Sequence, residues 1–213
     1  MSVAVYERTL RGGAPAVVRY ADGSTTALDV ARWSGPARGA DDSLLARVTG
    51  PALDIGCGPG RLVAALAARG VPALGIDIAP AAVGLTRRAG GRALQLSVFD
   101  EVPDAGRWGC AVLADGNIGI GGDPVRLLRR SAELLAAGGQ VLVELAAPRS
   151  GSRAVQVRLE DADGNAGAWF PWAHVAADAL APLALQAGLR VVEAWCEPAV
   201  GDPLRWFAAL ALV

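Results

Sequence analysis

The chain contains no lysine: all 20 of its cationic side chains are arginine. Without lysine there can be no Schiff-base nucleophile and no phosphate loop of the Walker type, whose motif ends in that residue. An alanine-, glycine- and arginine-rich coding bias accounts for the absence better than any selected property. Histidine is nearly missing too, and His174 is the one side chain that ordinarily titrates near neutral pH. The three cysteines, Cys57, Cys110 and Cys196, are odd in number and lack metal-ligand spacing, so neither a disulfide framework nor a metal site is expected, and a reducing compartment fits. Charge of one sign is not in excess: a net charge of −1 gives no reason to expect a nucleic-acid partner. Long apolar runs are lacking as well. "MSVAVYERTLRGG" has no signal-peptide core, and Arg, Asp or Gly interrupts each later run before it reaches spanning length. The expectation is a soluble, cytoplasmic protein without a membrane partner; its oligomeric state is not readable.

With 53% apolar and 19% charged residues, the chain has the composition of a folded domain, and its 213 residues suit one α/β domain with a small cap. From residue 51 onward, short apolar β-branched runs alternate with Ala/Leu-rich helical segments, the pattern of a doubly wound, mostly parallel sheet with helices on both faces. Strands are predicted near 51–55, 72–77, 92–97, 109–115, 139–146, 189–195 and 204–212. Helices are predicted near 60–69, 79–89, 123–137 and 173–187. Asp123 followed by Pro124 reads as an N-cap and first helical residue, and "AAGGQ" at 136–140 as a C-cap.

Two pieces interrupt this alternation. "PAVVRYADGSTTAL", 15–28, predicts a hairpin turning at Asp22 and Gly23, followed by a short helix carrying Trp33. Residues 154–170 predict a second hairpin, "AVQVRLE" and "AGAWF", around "DADGN". Both are expected over one edge of the sheet. Residues 1–40 then form a cap, and 41–213 a ligand-binding domain with a hairpin insertion at about 151–172.

The stretch "PALDIGCGPGRLVAALAARG", 51–70, carries the strongest functional signal. An apolar strand ends on an acid, three glycines follow within five positions, and a helix presents its N-terminus to whatever lies in the turn. A dinucleotide loop reads G-x-G-x-x-G, but here Arg61 stands at the sixth position. Asp54, two residues before the first glycine, would repel a pyrophosphate and attract a cation.

On "LDIGCGPGRL" at 53–62, Asp77 in "LGIDIAP" and "LLAAGGQVLVE" at 134–144, the chain resembles the class I, Rossmann-like methyltransferases that use S-adenosylmethionine, in their small bacterial form. The resemblance implies a seven-stranded sheet whose last strand is antiparallel, and S-adenosylmethionine as cofactor with S-adenosylhomocysteine as product. It implies that Asp54 holds the methionine part of the cofactor and that Gly56, Cys57, Gly58, Gly60 and Arg61 line it. Asp77 is implied to accept the ribose hydroxyls, and Ile78 to pack on the adenine. In "LQLSVFDEVPD", Val98 replaces the adenine-binding Asp of many relatives, leaving adenine to backbone groups of Val98 and Phe99. The bland alternative, a merely structural tight turn, leaves Asp54 and Asp77 without a role.

The same resemblance places chemistry at "VLADGNIGIGGDP", 112–124. Methyl transfer is an in-line displacement, so the protein positions the nucleophile and, where needed, removes its proton. Asp115 and Asn117 are the polar groups there; Asp115 either acts on the acceptor or binds the cofactor or nearby amides. His174 in "WFPWAHVAADAL", at the predicted helix start, is the second candidate base or else a structural residue, and Glu144 is the third. The "WFPW" cluster either walls a pocket for an apolar or planar small molecule or forms a small cap core. Trp195 and Trp206 are expected in the core. The expected activity is methyl transfer to O, N or C of a small-molecule acceptor; the alternatives are an NAD(P)-type oxidoreductase or a non-catalytic S-adenosylmethionine-binding protein.

Overall fold

The computed structural model describes residues 3–199 and 202–213. Helix α1 (Ala4–Leu10) is followed by strands β1 (Ala16–Tyr20) and β2 (Thr25–Ala27) and by helices α2 (Val30–Ser34) and α3 (Ala40–Leu45). Then come β3 (Ala52–Ile55), α4 (Arg61–Ala68), β4 (Ala73–Asp77), α5 (Pro80–Arg88), β5 (Ala93–Gln95) and β6 (Trp108–Leu113). A 3-10 turn at Asn117–Gly122 leads into α6 (Pro124–Leu134) and β7 (Leu135–Leu145). Strands β8 (Arg153–Asp161) and β9 (Phe170–His174), helix α7 (Leu180–Gln186) and strands β10 (Leu189–Ala199) and β11 (Asp202–Leu212) complete the chain.

Among the described residues the strands make two sheets. The larger has seven strands in the order β10-β11-β7-β6-β3-β4-β5. Its β3 to β7 pairings are parallel, and β11 runs antiparallel between β7 and β10, as expected for the last strand. Alternate residues serve opposite faces. On one face Leu53, Ile55, Leu113, Val141 and Val143 pack with Leu127, Leu128 and Leu134 of α6 and Leu180 and Ala184 of α7. On the other, Ala52, Cys110, Val112, Leu142 and Phe207 meet Leu44 and Leu45 of α3 and Leu62 and Leu66 of α4. Asp54 shares this second face with Ala52 and so points under the start of α4. No helix among the described residues is long and apolar enough to cross a membrane.

The two hairpins join each other through β1 and β8 into a four-stranded antiparallel sheet, β2-β1-β8-β9. The first turns where expected: Asp22 accepts bonds from the Ser24 amide and hydroxyl, and Gly23 takes φ +89°. Strand β9 packs on the 117–122 turn, with Trp172 and the Ala173 carbonyl against Gly119 and Pro171 against Gly122, which places the small sheet at the C-terminal end of β6.

Three expectations are corrected. The second hairpin's last strand is Phe170–His174 rather than 166–170, and only Ala166 of that segment bridges, to Glu160. His174 is consequently a strand residue opposite Arg153, and the helix predicted from 173 begins only at Leu180, after a 3-10 turn at Ala177–Ala179. "AAGGQ" caps nothing: Leu135, at the end of α6, is already extended and starts β7, with Gly138 and Gly139 inside the strand. Helices α1 and α3 were not predicted. Asp123 caps α6 as expected, accepting from the Arg126 amide at 3.0 Å, with Pro124 first in the helix.

Candidate active site

The glycine loop follows β3 and is folded back onto β4. The amides of Gly56 and Cys57 both donate to the Ile76 carbonyl, at 2.8 and 3.0 Å, and Gly60 donates to Cys57. Gly56, Gly58 and Gly60 have φ of +73°, +55° and +90°, which side-chain-bearing residues rarely adopt. Close packing adds to this: a Cβ on Gly60 would run into Thr86 of α5, and one on Gly56 into the Asn117 amide. Gly58 instead faces the hydroxyl of Tyr6 from α1. Cys57 turns inward against Gly75 and Val63, and burial, reinforced by the nearby Asp54 and Asp77, pushes its thiol well up. Its side chain is therefore packing rather than lining.

The two acids differ in how they are held. Asp54 is 2% exposed, and no protein group donates a hydrogen bond to its carboxyl among the described residues. Burial raises it to about 7; Arg61 opposes the rise, while Asp115 and Asp77 add to it. Asp77, at the end of β4, accepts from the Gly58 amide at 3.0 Å and the Ala79 amide at 2.8 Å, and burial raises it despite those bonds. Each of its oxygens keeps a lone pair for a further donor. Ile78 beside it is 37% exposed, a large apolar side chain left open at the same end of the sheet. Val98 is buried with its carbonyl taken by Arg130, and the Phe99 amide bonds Ser97, while the Phe99 ring lies under Arg126 and against Gly121.

Beside Asp54 lies a buried ionic network that the sequence did not reveal. Arg61, the first residue of α4, spans Asp41 of α3 through Nε and Nη2, both at 2.8 Å, and reaches Asp115 with Nη1 at 2.5 Å. Arg205 of β11 spans Glu144 of β7 at 2.8 and 2.7 Å and bonds Asp41 at 2.7 Å. Arg32 of α2 bonds Asp115 at 2.9 Å and lies 3.5 Å from Glu144. The Asp115 amide donates to Glu144, and Asp115 itself is held at φ +53°. Burial works against every charge here, yet the arginines hold Asp41 down to about 2, and Arg205 holds Glu144 below its usual range. Three guanidinium groups thus balance three carboxylates, and Asp54 is left without an ionic bond among the described residues.

The expected site residues therefore separate. Asp115 and Glu144 both stand in ion pairs, but they differ: burial, reinforced by the Glu144 charge, raises Asp115 against the pull of Arg61, whereas Arg205 holds Glu144 down against burial. Asn117 donates its amide to the carbonyls of Ile55 and Gly56, both at 2.9 Å, and pins the glycine loop to the turn after β6. His174, brought to the same end of the sheet by β9, keeps an unpartnered, solvent-shielded Nε2. Arg61 touches the loop as its helix start, with its side chain committed to Asp41 and Asp115. Tyr6, Arg32, Asp41 and Arg205 were missed. Arg205 alone had a signal, a charge at the head of the apolar strand "RWFAALALV".

Comparison with known proteins agrees with this geometry. The family model described as a methyltransferase domain matches residues 37–194. No curated protein matches the chain in sequence. A solved S-adenosylmethionine-dependent methyltransferase from Bacteroides fragilis, in complex with S-adenosylhomocysteine, is 23% identical, with 99% of this chain and 93% of that one covered and a TM-score of 0.77. A 1,6-didemethyltoxoflavin N1-methyltransferase from Burkholderia thailandensis is 19% identical over 99% and 88% of the two chains, with a TM-score of 0.63. The CcbJ methyltransferase from Streptomyces caelestis is 16% identical over 80% and 93%, with a TM-score of 0.59. At these identities the solved structures establish a shared fold, whereas the family model, spanning most of the chain, establishes membership. A seven-stranded sheet with an antiparallel β11, a glycine loop after its β3 and an acid closing β4 complete the match: the chain belongs to the methyltransferase domain family.

Proposed function

We propose that the protein transfers a methyl group from S-adenosylmethionine to a small-molecule acceptor. The observation that carries this reading is Asp54, a buried acid with no protein donor among the described residues, beside a loop built of positive-φ glycines. Such a group suits a ligand that brings its own cation, and the amino end of S-adenosylmethionine does so; the pyrophosphate of NAD does not. Asp77, with two lone pairs to spare, would take the ribose hydroxyls, and Ile78 would lie on the adenine. When bound, the cofactor supplies a methyl group on a positively charged sulfur.

The chain's own part is to bind, orient and exclude water. Asn117 fixes the loop that the ligand lies on. Burial, and then the charge of Asp77, hold the Tyr6 hydroxyl protonated, so it stays a donor above Gly58. Residues 1–40 serve as a cap and 41–213 as the transfer domain, with the second hairpin inserted in it. The similar protein from Burkholderia thailandensis was solved with bound 1,6-didemethyltoxoflavin and S-adenosylhomocysteine, which supports a small-molecule acceptor here. A cytoplasmic setting belongs to the same proposal, resting on the odd number and irregular spacing of Cys57, Cys110 and Cys196.

Calorimetry with S-adenosylhomocysteine and NAD tests the reading. The nucleoside should bind, and Asp77→Ala should weaken it by about 1.5–3 kcal/mol, the loss expected for hydrogen bonds to a charged acceptor. Tight NAD binding with no response to the sulfur nucleoside would overturn the proposal.

A further inference from the structure

The small sheet presents two unlike faces. Register pairs Tyr20 with Val157 and Val157 with Phe170, Val155 with Trp172, and Arg153 with His174. Directly paired residues share a face, as do residues two apart on one strand. Tyr20, Phe170, Trp172 and His174 therefore stand on a single face, the one that buries Ala16, Val157 and Asp161 against the rest of the molecule. The rings touch one another: Phe170 meets Trp172 edge-on with centroids 6.3 Å apart, and Tyr20 tilts against His174 at 5.6 Å. Yet all four are only half-buried, so this aromatic face is not closed over by the protein itself.

Where β9 meets the ends of β6 and β7, the same face borders a recess of about 160 Å³, lined by His174 and Val175 and by Gly116, Ile118, Glu144 and Leu145. A dry cavity of about 150 Å³ holds one benzene ring. Gly116 and Ile118 of its wall flank Asn117, whose amide reaches the Gly56 carbonyl, so the turn that borders the recess is bonded to the glycine loop. Glu144 is already engaged: its oxygens take Arg205 twice and the Asp115 amide. His174 Nε2 is different. It is shielded from solvent and has no hydrogen-bond partner among the described residues. A buried polar atom left unpaired is costly, and a ligand that pairs it recovers that cost.

Resting on the methyltransferase reading, we infer that the acceptor is a planar, one-ring molecule bearing an O–H or N–H, seated in this recess with that hydrogen donated to His174 Nε2. The groups around the imidazole keep it a base. Burial, and after it the Arg153 guanidinium across the strand pair, hold it below the ordinary histidine value; Glu144 faces it from β7, neutralised by Arg205 and Arg32, and Tyr20 faces it from β1. In the transfer step the O–H or N–H proton passes to Nε2 while the acceptor's lone pair forms a bond to the methyl carbon. The bond from that carbon to sulfur breaks, its electron pair stays on sulfur, and the imidazolium returns its proton to water.

The chain's single histidine makes the test unambiguous, because its imidazole ¹⁵N resonances belong to His174 alone. Phenol is titrated into protein with and without S-adenosylhomocysteine, with benzene as the donor-free control. Phenol should shift the Nε2 resonance saturably and benzene should not, and His174→Phe should weaken phenol binding about tenfold while S-adenosylhomocysteine affinity stays within about threefold. An Nε2 resonance unmoved by phenol, or equal phenol affinity in His174→Phe, overturns the inference. A protein that binds no S-adenosylhomocysteine but still shows the phenol shift overturns the cofactor reading instead.

Discussion

Arg61 and Asp41 meet in a two-point ionic contact, Nε to Oδ2 and Nη2 to Oδ1 at 2.8 Å each, with both side chains almost wholly withdrawn from solvent. The pair ties the start of α4, and with it the glycine loop, to α3. Removing one member of a buried pair strands the other, a loss of about 3–5 kcal/mol. Asp41→Ala, which also strips Arg205 of one bond, should lower unfolding stability by that amount in urea titration and the melting temperature by about 10 °C, at roughly 2–4 °C per kcal/mol for a chain of this size. A loss below about 1 kcal/mol would mean that the pair is solvated in the protein.

That contact also marks where the sequence stops being legible. The parallel strands, the glycine loop and the acids ending β3 and β4 announce themselves locally, because period, turn chemistry and spacing are properties of neighbouring residues. The ionic network is built from Arg32, Asp41, Arg61, Asp115, Glu144 and Arg205, and its bonded partners lie 20 to 164 positions apart. An arginine in "ARWS" looks like any solvated charge until the fold closes around it. His174 failed for a related reason. "AHVAADAL" favours a helix by composition, yet ladder bonds from β8 pull it into a strand, and no local pattern foretells that partner.

The pH dependence of cofactor binding follows from Asp54. In the free protein it is raised to about 7, so at pH 6 it is largely neutral. A bound ammonium group favours the carboxylate and lowers its pKa. Binding below pH 7 must therefore release close to one proton, and affinity should rise about tenfold from pH 6 to pH 8, one factor of ten per proton per pH unit below the free value. Calorimetry of S-adenosylhomocysteine in buffers of different ionisation enthalpy measures both quantities. Asp54→Asn should flatten the profile and weaken binding throughout; a flat profile in the unaltered protein would remove Asp54 from contact with the ligand's amine.

Asn117→Ala should loosen the glycine loop without touching the ligand. The amide satisfies two carbonyls, of Ile55 and Gly56, and leaving such groups without a donor costs about 1–3 kcal/mol. Part of that loss should appear as weaker S-adenosylhomocysteine binding, about tenfold, and part as lower stability. Asn117→Asp should be worse on both counts, since a carboxylate facing two carbonyls repels them. An Asn117→Ala protein with unchanged affinity would show that the loop holds its shape through the Ile76 carbonyl alone.

The two tryptophans of "WFPW" can now be told apart. Trp169 is 44% exposed, outside β9, with Arg158 stacked over its ring at 4.8 Å. Trp172 lies on the inner face of the small sheet, edge-on to Phe170 and against Gly119 of the turn that borders the recess. Trp172→Ala should weaken phenol binding, read at the His174 resonance, by about tenfold or 1.4 kcal/mol, and leave S-adenosylhomocysteine affinity within about threefold. Trp169→Ala should change neither by more than about threefold, because an exposed cation–aromatic contact contributes only about 0.5–1 kcal/mol to the fold and nothing to the recess. If the two substitutions acted alike, the aromatic cluster would be scaffold for the hairpin, and the acceptor would have to be sought outside this recess.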